Sequence, residues 1–345
     1  MFANLIGNNE AKEGLRRMLA AGRVPGGLLF TGEDGIGKKL FALELAKALN
    51  CRTRVGVEAC NQCSSCRRIP QIDYPATSDK EANNKIIRTR HADVGLVRPP
   101  TRFLLVSQMR DIEREANFRP YEGLARVFLI EDADRMNESA ANALLKTLEE
   151  PPTTSFLILI TSQPAALLPT IRSRCQAIFF APIPAAEIEK FLVEGKALAP
   201  RDAALLARTS RGSIGRALAM DAETYREQRE AMMAVVEALV LTGDRVELLR
   251  SAEGLNDAKR KDEYECRLDI LESVIRDAWA LALDRPEETI ANVDQLKRLR
   301  KIAADLHSHK VGEWLLEIEK LREQLIVNIN RKVATDALFL SMASK

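Results

Sequence analysis

The eight residues Gly32-Glu33-Asp34-Gly35-Ile36-Gly37-Lys38-Lys39 constrain this chain more than any other stretch. They follow the G-x-x-x-x-G-K pattern of a phosphate-binding loop, which needs a strand before it and a helix after it. Gly32, Gly35 and Gly37 let backbone N–H groups curl around an anion, and the next helix presents its positive N-terminus. Lys38 adds a point charge. A tight strand-to-helix turn with an exposed lysine reads from the same residues. The pattern breaks at its last position. A Ser or Thr hydroxyl there ligates Mg2+, whereas the ammonium of Lys39 has no lone pair to give. The loop admits ATP or ADP and offers Mg2+ a poor seat.

Three apolar runs end in polar residues. Leu28-Leu29-Phe30 leads into the loop, Val127-Phe128-Leu129-Ile130 into Glu131-Asp132, and Phe156–Ile160 into Thr161-Ser162. None alternates, as expected of parallel strands covered on both faces. Helical patterns lie between them. Leu40, Phe41, Leu45, Ala48 and Leu49 form one face; Ala141, Leu144, Leu145 and Leu148 form another. The alternation implies a doubly wound α/β domain over residues 1–183. Residues 70–90 are polar and read as an exposed loop. Pro182 and Pro184 mark a boundary. A small helical segment follows over 184–221, where Ser213 suits a helix N-cap. Residues 222–345 are helical throughout, with Val235, Leu239 and Val240 on one face and Leu315, Ile318, Leu321 and Leu325 on another. Trp279 and Trp314 are expected to anchor that core.

Composition narrows the function classes. With 46% hydrophobic residues the chain can bury a core and is not globally disordered. Lys plus Arg number 51 against 49 Asp plus Glu, which argues against a general basic coat for nucleic acid. No apolar run approaches the roughly 20 residues that span a bilayer. The opening Met1-Phe2-Ala3-Asn4-Leu5 lacks the basic and apolar regions of a signal peptide, so a cytoplasmic protein is expected.

Four of the six cysteines cluster as Cys51, Cys60, Cys63 and Cys66. Four thiolates complete a tetrahedral Zn2+ site with no open position, which points to a structural metal in an insert at about 51–66. Four free thiols in an exposed loop is the bland alternative. Cys266 reads as helix filling. Glu131-Asp132 stands where a strand delivers an acid to Mg2+, or is a pair of solvated acids. Thr161 ends a buried strand and is a candidate phosphate sensor. Arg174 and Arg216 are candidates to reach a γ-phosphate; taken alone, Arg174 reads more readily as a surface ion pair, and a salt bridge explains Arg216 equally well. His91, His307 and His309 show no ligand spacing.

Together, Gly32–Lys38, the four cysteines, Val127–Asp132, Asn142–Pro152, Pro169-Thr170-Ile171 and Ser173-Arg174-Cys175 resemble the AAA+ clamp-loader ATPases of bacteria. The resemblance covers essentially the whole chain and is strongest over 25–180. It implies an AAA+ P-loop domain with a zinc insert, a helical lid over 184–221 and an all-α collar over 222–345 for oligomerisation. It implies a hetero-oligomer with gamma/tau and delta subunits that opens a sliding clamp and sets it on primer–template DNA. Arg174 would then act in trans as an arginine finger on a gamma/tau site. Ring-forming ATPases usually carry Asp then Glu where this chain has Glu131 then Asp132. That reversal and Lys39 both fall on the Mg2+ seat, so the chain's own ATPase is expected to be weak or absent. No carboxylate set for polymerase chemistry is present. The alternatives are a gamma/tau-type ATPase that tolerates Lys39, and a zinc-dependent nucleic-acid-binding module, which the balanced charge disfavours.

Overall fold

The computed structural model describes residues 2–256, 263–326 and 330–344. The chain divides into two compact units. One runs to Ile188 and takes in Arg211–Arg216; the other comprises Glu189–Ser210 and the residues from Ala217 onward.

The first unit is built on a six-stranded sheet: β1 (Gly27–Thr31), β2 (Ile87–Arg88), β3 (Val94–Val97), β4 (Arg126–Ile130), β5 (Ser155–Thr161) and β6 (Gln176–Phe179). The strand order is β2-β3-β4-β5-β1-β6. All neighbouring pairs are parallel except β2 with β3. The sheet is parallel as expected, with one short antiparallel strand added at its edge. Five residues separate β2 from β3, whereas a parallel connection needs a crossover of about a dozen or more.

The apolar runs are continuous because their residues serve two cores in turn. Leu28, Phe30, Val127, Leu129, Ile158 and Ile160 face one layer with Phe41 and Leu45. Leu29, Phe128, Ile130, Leu157 and Leu159 face the other with Leu144 and Leu148. The helix Lys38–Asn50 buries most of its length, but Leu40 is 53% exposed. At 3.6 residues per turn it lies about 100° from Phe41, outside the stripe assigned to it.

Residues 70–90 are more ordered than their polarity suggests. They carry the helix Lys80–Asn83 and strand β2. Asn83 is buried, and its amide donates to the carbonyls of Ala76 at 2.8 Å and Asp79 at 2.7 Å. Asn83 thus satisfies backbone groups, while most other polar side chains of the segment face solvent. Asp93 and Asn50 act similarly. The Asp93 carboxylate accepts the N–H groups of Tyr121, Glu122 and Gly123 at 2.6, 2.9 and 2.7 Å. Asn50 Oδ1 accepts those of Leu124 and Ala125 at 2.9 and 3.0 Å. This pins the entry to β4.

The second unit is helical. Its core gathers Met232, Val235, Leu268, Leu271, Ile275, Trp314 and Phe339. Trp314, in the helix Ser308–Ile326, is buried and donates its indole N–H to the Met342 carbonyl at 3.1 Å. Trp279 packs only at the margin. Trp314→Ala is therefore expected to destabilise this unit by about 3–5 kcal/mol, read from denaturant unfolding of the full chain. A loss under about 1 kcal/mol would show that the indole is not the anchor of this core.

Candidate functional site

Parallel register sets the site. Thr31 pairs with Thr161, and Ile130 pairs with Leu159, so the residues after β1, β4 and β5 emerge on one edge of the sheet. Gly32–Gly37, Glu131-Asp132 and Ser162 therefore converge there, with β5 lying between the loop strand and the acid strand. Ligands of open α/β sheets bind at such carboxyl-end crevices.

The loop needs its glycines. Gly32, Gly35 and Gly37 have φ of +145°, +74° and +100°. A Cβ on Gly32 would lie 2.3 Å from the Phe180 carbonyl oxygen, and one on Gly35 would lie 2.4 Å from Ser213 Oγ. The segment Gly212–Arg216 packs directly on the loop: Gly215 donates its N–H to the Gly35 carbonyl at 2.8 Å. Ser213 Oγ accepts the Arg216 N–H at 3.2 Å, the N-cap read from the sequence. Arg216 lies in the first turn of the helix Ile214–Ala219, one residue from that contact.

Lys38 is buried, and its Nζ donates to the carbonyls of Gly32 and Glu33 at 2.5 and 2.7 Å. Burial lowers its pKa, and the carboxylates of Asp34 and Glu33 oppose that shift. Lys39 turns elsewhere. Its Nζ lies 2.5 Å from Glu131 Oε1 and donates to the Tyr74 hydroxyl. It also sits 4.8 Å from the centre of the Tyr74 ring, as does the Arg98 guanidinium. Burial works against the Lys39 charge, but Glu131 and Tyr74 outweigh it, and the pKa rises. Glu131 Oε1 is buried and makes no well-angled hydrogen bond, so this contact is one of charge and proximity.

The remaining acids are not poised around an open metal seat. Asp132 sits in the left-handed region at φ +48°, with Arg135 at 3.9 Å. Burial raises its pKa; Arg135 opposes this, while Asp134, Asp34 and Glu131 add to it. Thr161 donates its hydroxyl to the Asp134 carboxylate and accepts the Gln163 N–H at 2.9 Å, so both its functions are committed within the chain. Residues 39 and 131, which flank Mg2+ in a hydrolysing loop, here bind each other. The residues present do not fit that metal.

Arg174 lies at the opposite edge. It follows the short helix Pro169–Arg172 and precedes β6, whose Gln176 pairs with Leu28 near the start of β1. A Cβ on Gly27 would meet the Arg174 carbonyl oxygen at 3.2 Å and Cys175 Sγ at 3.4 Å. Five strand residues, roughly 16 Å at about 3.3 Å each, separate this point from the loop. Burial pushes the Cys175 thiol up to about 12, consistent with an anchor and not a nucleophile. The Arg174 guanidinium lies 2.6 Å from Glu149 Oε1 and donates to the Thr170 carbonyl at 2.9 Å, with its side chain a third exposed.

Among the described residues, Cys51, Cys60, Cys63 and Cys66 form a group able to hold a metal, all four Sγ atoms lying within 4.8 Å of one another. Cys51 ends the helix Lys38–Asn50, and Cys63 and Cys66 frame the start of the helix Ser64–Arg68. Cys51 and Cys63 Sγ are 4.0 Å apart, and Cys60 and Cys66 Sγ 3.9 Å. Tetrahedral Zn2+ with bonds of about 2.3 Å places its sulfurs about 3.8 Å apart, so the set fits. The Thr53 hydroxyl and the N–H groups of Cys63 and Gln62 lower Cys60 to about 5, favouring a thiolate; burial raises Cys66.

The family profile described as DNA polymerase III, delta subunit, matches residues 7–184, and that of its C-terminal part matches 225–342. The chain belongs to the DNA polymerase III delta-subunit family. Within it the chain is of the delta′ type. It is 29% identical to DNA polymerase III subunit delta′ of Bacillus subtilis, over 91% of this chain and 89% of that protein. It is 30% identical to the delta′ subunit of Pseudomonas aeruginosa, over 92% of this chain and 91% of that one. The tau subunit of Salmonella typhimurium is 30% identical over 94% of this chain, which spans 47% of that longer protein. Sequence reasoning missed the partners that fix the family's motifs in this chain: Tyr74 and Arg98 around Lys39, and Glu149 beside Arg174. The Glu149 signal lies within the Asn142–Pro152 block, but no spacing rule ties it to residue 174. Among the described residues no helix is long and apolar enough to cross a membrane.

Proposed function

We propose that this chain is the delta′-type member of a bacterial clamp loader, an assembly subunit that assists hydrolysis and does not perform it. Its partners on this reading are gamma/tau and delta subunits, which with it open a sliding clamp and set it on primer–template DNA in the cytoplasm. Arg174 neutralises charge on the γ-phosphoryl group at the adjoining gamma/tau site. The four cysteines hold a structural Zn2+, residues 184–221 serve as the lid, and residues 222–345 form the collar.

The observation that carries this reading is the placement of two cations on opposite edges of one sheet. Lys39 is engaged with Glu131 at the chain's own loop, while Arg174 stands at the far end of β1, out of reach of that loop. A cationic fork placed there serves a site in another molecule or none. Its pairing with Glu149 can be given up at modest cost, since partly exposed pairs contribute about 0–1 kcal/mol.

The purified chain alone is expected to show no Mg2+-dependent ATP turnover above background. Turnover that disappears with Lys38→Ala would return the gamma/tau-type ATPase reading.

A further inference from the structure

The Lys39–Glu131 contact does more than remove a metal ligand. In a hydrolysing loop of this architecture the cation lies between the hydroxyl after the loop lysine and the acid at the end of the strand one beyond β5, here β4. Here a single ammonium spans those two positions. The Lys39 backbone opens the helix Lys38–Asn50, and its Nζ reaches Glu131 Oε1 at 2.5 Å. Tyr74 closes the other side, accepting a hydrogen bond from Lys39 and holding its charge over the ring. Arg98 stacks on the same ring and limits where Tyr74 can go. A partly buried carboxylate, a phenol and a ring face thus flank one monovalent cation that belongs to the chain.

We propose that Lys39 is the resident cation of this site: it occupies the divalent metal's place between loop and strand acid, so that Mg2+ is excluded and nucleoside di- or triphosphate binding by the loop is metal-independent. The inference rests on reading residues 32–38 as a phosphate loop and is independent of Arg174. It narrows the ligand to the nucleotide without its metal. It also locates the barrier to Mg2+ in one side chain, since Glu131 is still in place and the loop glycines keep their conformation.

The test titrates the full-length chain with ADP carrying a fluorescent ribose label, in Mg2+ and in EDTA. Wild type is expected to bind in both buffers with affinities within about twofold of each other, and absence of binding in both would refute metal-independent binding, whereas Lys39→Thr binds about tenfold or more tightly in Mg2+. A wild-type chain that itself prefers Mg2+ by about tenfold would overturn the proposal. So would a folded Lys39→Thr chain that shows no Mg2+ dependence, including one that binds no ADP at all. Should Lys39→Thr fail to fold, water-proton relaxation by Mn2+ on the wild-type chain with ADP decides. No enhancement over free Mn2+–ADP supports the resident cation, and a clear enhancement refutes it. None of these readouts involves the assembled loader, so they stand or fall apart from the role given to Arg174.

Discussion

Replacing Arg174 with alanine in the assembled loader is expected to slow hydrolysis at the adjoining gamma/tau site by about 10³ or more. The chain itself should be unharmed. The Arg174 side chain is a third exposed and its partner Glu149 about half exposed, so the lost pair changes stability by about 1 kcal/mol or less. The effect therefore belongs to the transition state of a neighbour's reaction and not to folding. Arg174→Lys should recover little of the rate, because a point ammonium cannot reproduce the planar fork that spans two phosphoryl oxygens. Single-turnover hydrolysis by the reconstituted loader, beside a melting curve of the isolated variant, separates the two effects. An unchanged rate with Arg174→Ala would remove the finger from the account.

The second large effect concerns the four cysteines. Structural Zn2+ in small domains contributes apparent binding free energies of about 10–16 kcal/mol at neutral pH. Few apolar residues accompany these thiols: the local cluster consists of Ala59 and the cysteines themselves. Removing the metal should therefore unfold residues 51–68. Arg16 joins Glu58 at 2.6 Å, and Lys47 donates to Asn61 at 2.6 Å. Arg68 grips Glu122 through two bonds of 3.1 and 2.6 Å. Through these links the damage should reach the 121–125 segment that Asp93 and Asn50 hold. Cys60→Ser is expected to abolish a one-to-one zinc content, lower the melting temperature and expose the 51–68 segment to protease. A metal-free chain with wild-type melting and protease resistance would contradict a structural role.

Much of this was legible in the sequence because it rests on local rules. The glycine loop, the three apolar runs and the cysteine spacing each declare themselves within a few residues. The parallel β1, β4 and β5 follow from those runs, and the Ser213 cap from one hydroxyl before a helix. What stayed hidden depends on pairs distant in the chain. The loop pattern already put Lys39 and Glu131 on one seat, but nothing near Lys39 announces Tyr74, which only the fold brings to it. The segment 70–90 looked like a loop because a polar residue such as Asn83 binds backbone carbonyls as readily as water. Leu40 looked buried because an apolar residue beside an apolar stripe cannot be told from a member of it. The ion pair of Arg174 with Glu149 likewise needed the helix Glu138–Glu149 to end beside β6.

The central claim, a cation given to a neighbour by a chain without a working metal seat, is tested most directly by one comparison. Single-turnover ATP hydrolysis is measured in loaders carrying either Lys38→Ala or Arg174→Ala in this subunit alone. The account predicts a wild-type rate for the first and a fall of about 10³ at one site for the second. Loss of hydrolysis with Lys38→Ala, and none with Arg174→Ala, would contradict it.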